Sequence, residues 1–574
     1  MASIWKHIIS SIEARPLRWL WITTAGLTLY LSAGVFFGFD VCDNGQYMTF
    51  YENIFTAPHS VGYHFMYYLS GLVGGTILSL CPAMGLLGMR FVGLLCFVAS
   101  MLLVYKTMKG TLPATAIIAG NVLAMTAFMG NPVTFCHDIL SILLYLSALC
   151  LLWKGSGGCR WWMLLAGGFL LGTNIFARTP NVLGLVFVLS PVAVAISEGK
   201  KTGMGRAAVQ ACVAVAGAVC GIVAVIAVMA MLGHLDIYLN NLAEVRNIAA
   251  DSSGESSHSL GTLVMVAVNF YVSEAYVWFK LATLICIYTF LYYYFTKPYV
   301  RIVVLAVGVA ASFYMMWRML SMQPLWALCA AGCLTLMVTG KGKERALALI
   351  AFLLMIIFPL GSDNAYNNGS IIAMLAAPVA VAACMKHTRY MRVAPYLVAF
   401  VVCNIGHLTV NGAYFDHGPL WNKTSPVGNL RTTGVYTTSE RSAIVNSVLS
   451  GIEPYVHAGD TLMVYGSFPM INYLTSTRPA MDCCWPELLG ATMLENRLRE
   501  LDSTQPLVLR QLFNSIGEEF SEPSEQFLYT YGDEKNEFLY DRKIELLNDF
   551  LRRNNYKEIY RNSHFILYQT THAR

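Results

Sequence analysis

The chain has 574 residues, of which 56% are hydrophobic and 12% charged, with a mean hydropathy of +0.54. Soluble domains carry about 25% charged residues, so the composition excludes a soluble enzyme and points to a polytopic α-helical membrane protein. The net charge of +5 is spread over short Lys and Arg groups between apolar runs, which argues against nucleic-acid binding and for orientation signals.

Lys6, Arg15 and Arg18 precede the first apolar run and put the N-terminus in the cytoplasm. That run is too long and too poorly cleavable for a signal peptide and reads as a retained span. Basic groups recur at Lys106/Lys109, Lys154/Arg160, Lys200/Lys201/Arg206, Lys297/Arg301, Lys341/Lys343/Arg345 and Lys386/Arg389/Arg392. Two apolar crossings separate each group from the next, so every group can face the cytoplasm. Spans are predicted at 17–38, 88–105, 112–130, 138–153, 161–177, 180–197, 207–232, 276–295, 302–320, 324–340, 346–361, 370–385 and 394–413. The odd number, about 13, puts residues 414–574 on the extracytoplasmic side. Residues 63–81 are apolar enough to cross, but a crossing there would invert every later signal. Gly71, Gly74 and Gly75 also weaken a simple span, so the segment reads as an interfacial or re-entrant pair of short helices.

Residues 1–413 are therefore expected to form a transmembrane catalytic domain and residues 414–574 a soluble α/β domain. In the latter, Ser439 is placed to cap a helix whose apolar face runs from Ile444 to Ile452. Strands are expected at 460–465, 506–509 and 564–568, with an amphipathic helix at 541–553. No internal repeat is visible, which argues against a transporter built from inverted halves.

The acids are unevenly placed. Of 33 Asp and Glu, 20 follow Tyr414. Among the others only Glu13, Glu198 and Glu344 face the cytoplasm in this topology, and ten gather on the outer side. The first outer loop holds Asp40, Asp43 and Tyr47, which would share a face if a helix starts near Asp43. A half-desolvated carboxylate at the membrane surface suits a general base. The same residues also fit a helix cap at Asp43 followed by an Asn-Gly turn, and the loop alone leaves both readings open. Cys42 and Cys136 fall in two outer loops, either bridged or as free thiols; no CxxC or Cys/His metal spacing occurs.

An acid directly after the first span, interfacial helices, a second acid in the next outer loop and a C-terminal extracytoplasmic domain form a layout similar to that of the GT-C glycosyltransferases. Protein O-mannosyltransferases and the lipid A aminoarabinose transferase belong to that superfamily. Asp43-Asn-Gly-Gln-Tyr47 resembles its Asp-Glu-x-x-Tyr type of first-loop motif, and Asp138 in Phe135-Cys-His-Asp138 matches the second-loop acid. Asn44 stands where the motif usually has its second acid, so the resemblance does not extend to a two-carboxylate or metal role in this loop. It covers residues 1–180 by layout and the tail by position.

The resemblance implies an integral-membrane enzyme that moves a sugar from a polyprenyl-phosphate donor to a glycan, lipid or protein acceptor on the extracytoplasmic face. It implies Asp43 as the base and Asp138 as an assisting or positioning acid. No cofactor is required, and a divalent metal is neither excluded nor indicated. A bacterial inner membrane and a role in the cell envelope are expected, with no nucleic-acid partner.

A phosphate leaving group calls for cations, and positive charges near outer span ends run against the orientation bias. Arg90, Arg178 and Arg318 are the candidate donor-phosphate ligands; the competing reading pairs each with an outer carboxylate or a headgroup. Asp40, Tyr47, His137 and Asp363 are candidate substrate contacts, with ordinary loop or turn roles as the alternative. The rival functions are a transporter or flippase of lipid-linked saccharides, a membrane glycan polymerase or ligase, and a structural or assembly protein in which the clustering of acids is incidental.

Overall fold

The computed structural model describes residues 2–127, 133–158, 160–199, 203–250, 260–318, 322–361, 370–387, 390–413, 415–516, 520, 522–524 and 537–571. A helix lies at each of the expected spans. Five, Pro16–Phe36, Pro82–Met108, His137–Gly157, Thr179–Ser197 and Met204–Met231, are long and apolar enough to cross a bilayer, and six shorter apolar helices accompany them. The chain is thus a polytopic helical membrane protein with a small sheet-containing region at its C-terminal end.

Two spans depart from expectation. The helix Leu260–Tyr294 is 35 residues long and starts well before residue 276. A single buried carboxylate, Glu274, does not interrupt backbone hydrogen bonding, so the helix runs through it. The segment Thr179–Leu189 is a 3-10 helix that gives way to an α-helix at Ser190–Ser197. Pro180 and Pro191 each open one of these pieces, where a missing N–H costs least.

Residues 63–81 form two short pieces, the 3-10 helix Pro58–Tyr67 and the helix Tyr68–Leu80. The glycines explain the second. A Cβ on Gly71 would collide with the Phe50 ring, and one on Gly74 would lie 2.7 Å from the Tyr51 ring. The helix lies flush on the first-loop helix Asp43–Asn53 because it lacks side chains there. The same device joins Trp161–Asn174 to Met204–Met231. Cβ atoms on Gly168 and Gly172 would strike the carbonyls of Ala214 and Ala218, so the backbones touch, as small residues permit in lipid.

Groups expected at the cytoplasmic face meet one another. Glu13 accepts from the N–H groups of Ala114 and Thr115, and Lys386 pairs with Glu344 at 2.7 Å.

The C-terminal region opens with two antiparallel ladders, β1 (Gly412–Ala413) with β2 (Asp416–His417) and β3 (Ser425–Pro426) with β4 (Tyr436–Thr437). A five-stranded sheet follows, made of β5 (Thr461–Tyr465), β6 (Arg478–Pro479), β7 (Leu507–Gln511), β8 (Tyr556–Arg561) and β9 (Phe565–Thr570). Its order is β6-β5-β7-β9-β8, with β5 parallel to β6 and β7, and β9 antiparallel to β7 and β8. The helix expected from Ser439 begins there, but Thr438 caps it, its hydroxyl accepting from the Arg441 N–H.

Two apolar cores result. One fills the helical body. The other runs from the first loop (Phe39, Met48, Phe50) through Phe65 and Met229 into the sheet (Leu462, Val464, Leu509, Leu567). The C-terminal region and the first loop therefore share one core. The two approach closely at Gly45, where a Cβ would overlap the Met470 backbone.

Candidate functional site

The first span ends at Phe36, and the chain turns through Gly38 at φ +94°, a conformation that costs glycine little. Three contacts fix this turn. The Gly38 N–H donates to the Tyr436 carbonyl at 2.9 Å, and the Phe39 N–H donates to Asp416 Oδ2 at 2.7 Å. Arg90 donates to the Val35 and Gly38 carbonyls at 3.1 and 2.8 Å. Arg90 is 3% exposed, and both its terminal nitrogens are engaged with backbone.

Asp40 then accepts from the Cys42 and Asn44 N–H groups, each at 2.8 Å. This carboxyl caps the helix Asp43–Asn53, so the capping role considered for Asp43 falls to Asp40. Burial, then the Asp43 charge, push the Asp40 carboxyl up to about 8, against the two backbone donors and the Arg90 charge. The shift favours the protonated form of Asp40 beside Asp43. Asp43 itself is half-buried in the first helical turn, where the helix dipole favours an anion. Tyr47, one turn on, sets its ring edge-on to His137 at 5.6 Å.

The second loop is held against the first. The Phe135 N–H donates to the Met89 carbonyl, and the Tyr51 hydroxyl donates to the Phe135 carbonyl at 3.0 Å. His137 and Asp138 open the next helix, and Tyr67 stacks on the His137 ring at 3.9 Å. The Cys136 thiol between the loops is pushed up by burial, then by the charges of Asp138 and Asp43, so both carboxylates act on this one buried group. Arg178 Nη1 lies 3.1 Å from Asp138 Oδ1 and donates to the Phe358 carbonyl at 3.1 Å. The structure therefore gathers Asp40, Asp43, Tyr47, His137, Asp138 and Arg178 at the meeting of the two loops. Arg90 sits behind the first loop as a backbone clamp. Arg318 ends the helix Pro298–Arg318, and its side chain lies outside the described residues, as does the whole of Asp363. Gly361, which leads toward Asp363, packs on Pro180 beside Arg178.

Among the described residues, the two loops also carry buried polar atoms without a hydrogen-bond partner: Asn44 Oδ1, Thr134 Oγ1 and His137 Nδ1. Asp138 Oδ1 has no hydrogen bond either, its contact with Arg178 being an ion pair only. Each such orphan costs about 1–3 kcal/mol, so a concentration of them marks a place where a ligand or water completes the bonding.

Asp416 was not singled out from sequence. Fully buried, it accepts from Lys423 Nζ at 2.7 Å and Thr437 Oγ1 at 2.6 Å, with Arg441 Nε at 3.3 Å. Together with its bond to Phe39, it ties the C-terminal region to the backbone just before Asp40. Its partners are scattered over the sequence, and no local pattern announces them.

Cys42 and Cys136 are buried free thiols, as are Cys483 and Cys484. Cys484 Sγ lies 3.1 Å from His64 Nε2, and burial drives His64 down to about 3, making it a neutral core histidine. Among the described residues no three His, Cys, Asp or Glu side chains gather as a metal would require. A cavity of about 640 Å³ lies between residues 59–62, the helix Leu235–Ala250 and residues 479–501, and Asp43 is not part of its lining.

No family model and no curated protein matches the chain. Twelve solved chains are similar in structure. One is the oligosaccharyltransferase of Archaeoglobus fulgidus, crystallised with an acceptor peptide containing the NVT sequon tethered by a disulfide bond. It is 12% identical with a TM-score of 0.41, over 86% of this chain and 69% of that one. A likeness of this size assigns neither residues nor activity.

Proposed function

We propose that this chain is a GT-C-type membrane glycosyltransferase that moves a sugar from a polyprenyl-phosphate donor to an acceptor hydroxyl, at the extracytoplasmic face formed by the first two loops and the C-terminal region. The observation that carries the reading is the contact of the two loops at Tyr47 and His137, which brings the segments of Asp43 and Asp138 together beside buried polar atoms that have no hydrogen-bond partner among the described residues, at the end of an apolar helical bundle. A lipid-borne donor needs a polar site at that depth.

In this reading Asp43 takes the proton of the acceptor hydroxyl. The acceptor oxygen bonds to the anomeric carbon as the bond from that carbon to the phosphate oxygen breaks, and polyprenyl phosphate leaves with the electron pair. Arg178 meets the phosphate charge, with Asp138 fixing the guanidinium in the free enzyme. Tyr47 and the Tyr67–His137 stack form a flat wall for the sugar. Asp40 orients the helix that presents Asp43. A single displacement of this kind inverts the anomeric centre.

The test uses purified protein in nanodiscs with polyprenyl-phosphate-linked sugars. Consumption of the donor with release of polyprenyl phosphate supports the reading. Movement of intact donor between leaflets without cleavage would replace it with the flippase alternative.

A further inference from the structure

The 640 Å³ cavity is a second feature, and neither Asp43 nor Asp138 lines it. Three distant segments wall it. His59 and Gly62 come from the interfacial segment, and Asp482 follows β6. Ile237, Asn240, Asn241 and Glu244 are spaced as one face of the helix Leu235–Ala250.

Arg497 is part of its lining. Its Nε and Nη2 donate to Asp482 at 3.0 and 2.8 Å, Nη2 also donates to Glu244 at 2.5 Å, and Nη1 reaches Glu500 at 3.3 Å. The guanidinium is turned onto carboxylates and offers no fork to a phosphate. Three carboxylates face one cation, so the cavity carries a formal −2 with His59 neutral. The Asn241 amide donates to the Tyr63 carbonyl, and the Tyr63 N–H donates to the Asp482 carbonyl at 2.9 Å, so the floor is braced. Ile237, Met481 and Leu501 supply apolar walls among the amides.

We propose that this cavity binds an amine-bearing, hydroxyl-rich molecule through Glu244, Glu500 and Asn240. A neutral or anionic ligand would gain nothing from the surplus negative charge, whereas an ammonium group next to sugar hydroxyls would meet both the carboxylates and the amides. The cavity is distinct from the donor site, whose charge requirement is opposite.

The probe is an aminoalkyl disaccharide glycoside, cationic at neutral pH, against its N-acetyl derivative, titrated calorimetrically into the whole protein in nanodiscs. The amine is expected to bind at least about tenfold more tightly than the acetamide, a gap of about 1.4 kcal/mol. Added salt and the substitutions Glu244→Gln and Glu500→Gln should each weaken it. Glu500 is largely exposed, so its variant keeps the fold. Equal binding of the two forms, no binding by either, or binding indifferent to both substitutions overturns the proposal. Asp43→Asn should leave this binding unchanged. A protein that depends on Asp43 for transfer but fails the titration loses only the cavity assignment.

Discussion

Replacing Asp416 by Asn tests whether the C-terminal region positions the first loop. Asp416 carries the countercharge for Lys423 at 2.7 Å and Arg441 at 3.3 Å, all three being buried. Removing one partner of such a set strands charge in a low dielectric and costs about 3–5 kcal/mol. The cost should fall on the junction, since the same carboxylate accepts from the Phe39 N–H. Converted into local opening, it predicts that the amides of Phe39, Cys42 and Asn44 exchange roughly two to four orders of magnitude faster. Hydrogen exchange read by mass spectrometry in nanodiscs measures this, with amides of the helix Met204–Met231 as the unaffected control. Adding Lys423→Met, which removes a stranded cation, should recover much of the protection. Exchange at residues 39–44 within threefold of wild type would refute the buried-charge argument.

Asp40→Asn should keep activity within about tenfold and lower stability by about 1 kcal/mol, because one amide oxygen replaces two acceptors. The pH dependence has a definite sign. The folded protein keeps the Asp40 proton up to about 8, whereas an unfolded carboxyl loses it near 4. The folded state therefore binds more protons in that window, and the Asp40 contribution to stability falls as pH rises through it. The wild-type minus Asp40→Asn difference in unfolding midpoint should decline from about pH 4 to 8 and then level off; a difference that grows with pH contradicts this. Gly172→Leu should separate two helices whose backbones touch at Ala218, with loss of folded yield or about 3 kcal/mol of stability. A thermal midpoint unchanged by it would sink the close-packing account. Chelation of divalent metal by EDTA should leave transfer intact, since Asn44 leaves Asp43 as the lone carboxylate of its motif; abolition restored by a metal would count against it.

How much was legible depended on the range of the signal. Apolar length and the spacing of Lys and Arg groups located the helices, because both act along a short stretch of chain. The glycines 71, 74 and 75 were legible as a weakness in a span, but their role as a seat for Phe50 and Tyr51 needs the neighbour to be known. Asp43 stood out by position, yet its relation to Asp40 did not. That Asp40 accepts from the N–H groups of Cys42 and Asn44 at the helix start is visible only in the folded loop. Arg90 and Arg178 stood out in the sequence as cations near outer span ends; whether such a group meets a phosphate, a carbonyl or a carboxylate is settled by partners far away in sequence. Arg90 meets carbonyls at Val35 and Gly38, and Arg178 meets Asp138. Asp416 was invisible for the same reason.

The most direct measurement is single-turnover transfer from a labelled polyprenyl-phosphate sugar by wild type and by Asp43→Asn, at matched protein levels and matched thermal midpoints. Loss of a positioned base should slow the chemical step by about 10²–10⁴-fold while donor binding persists. An Asp43→Asn protein that transfers sugar at the wild-type rate would contradict the account.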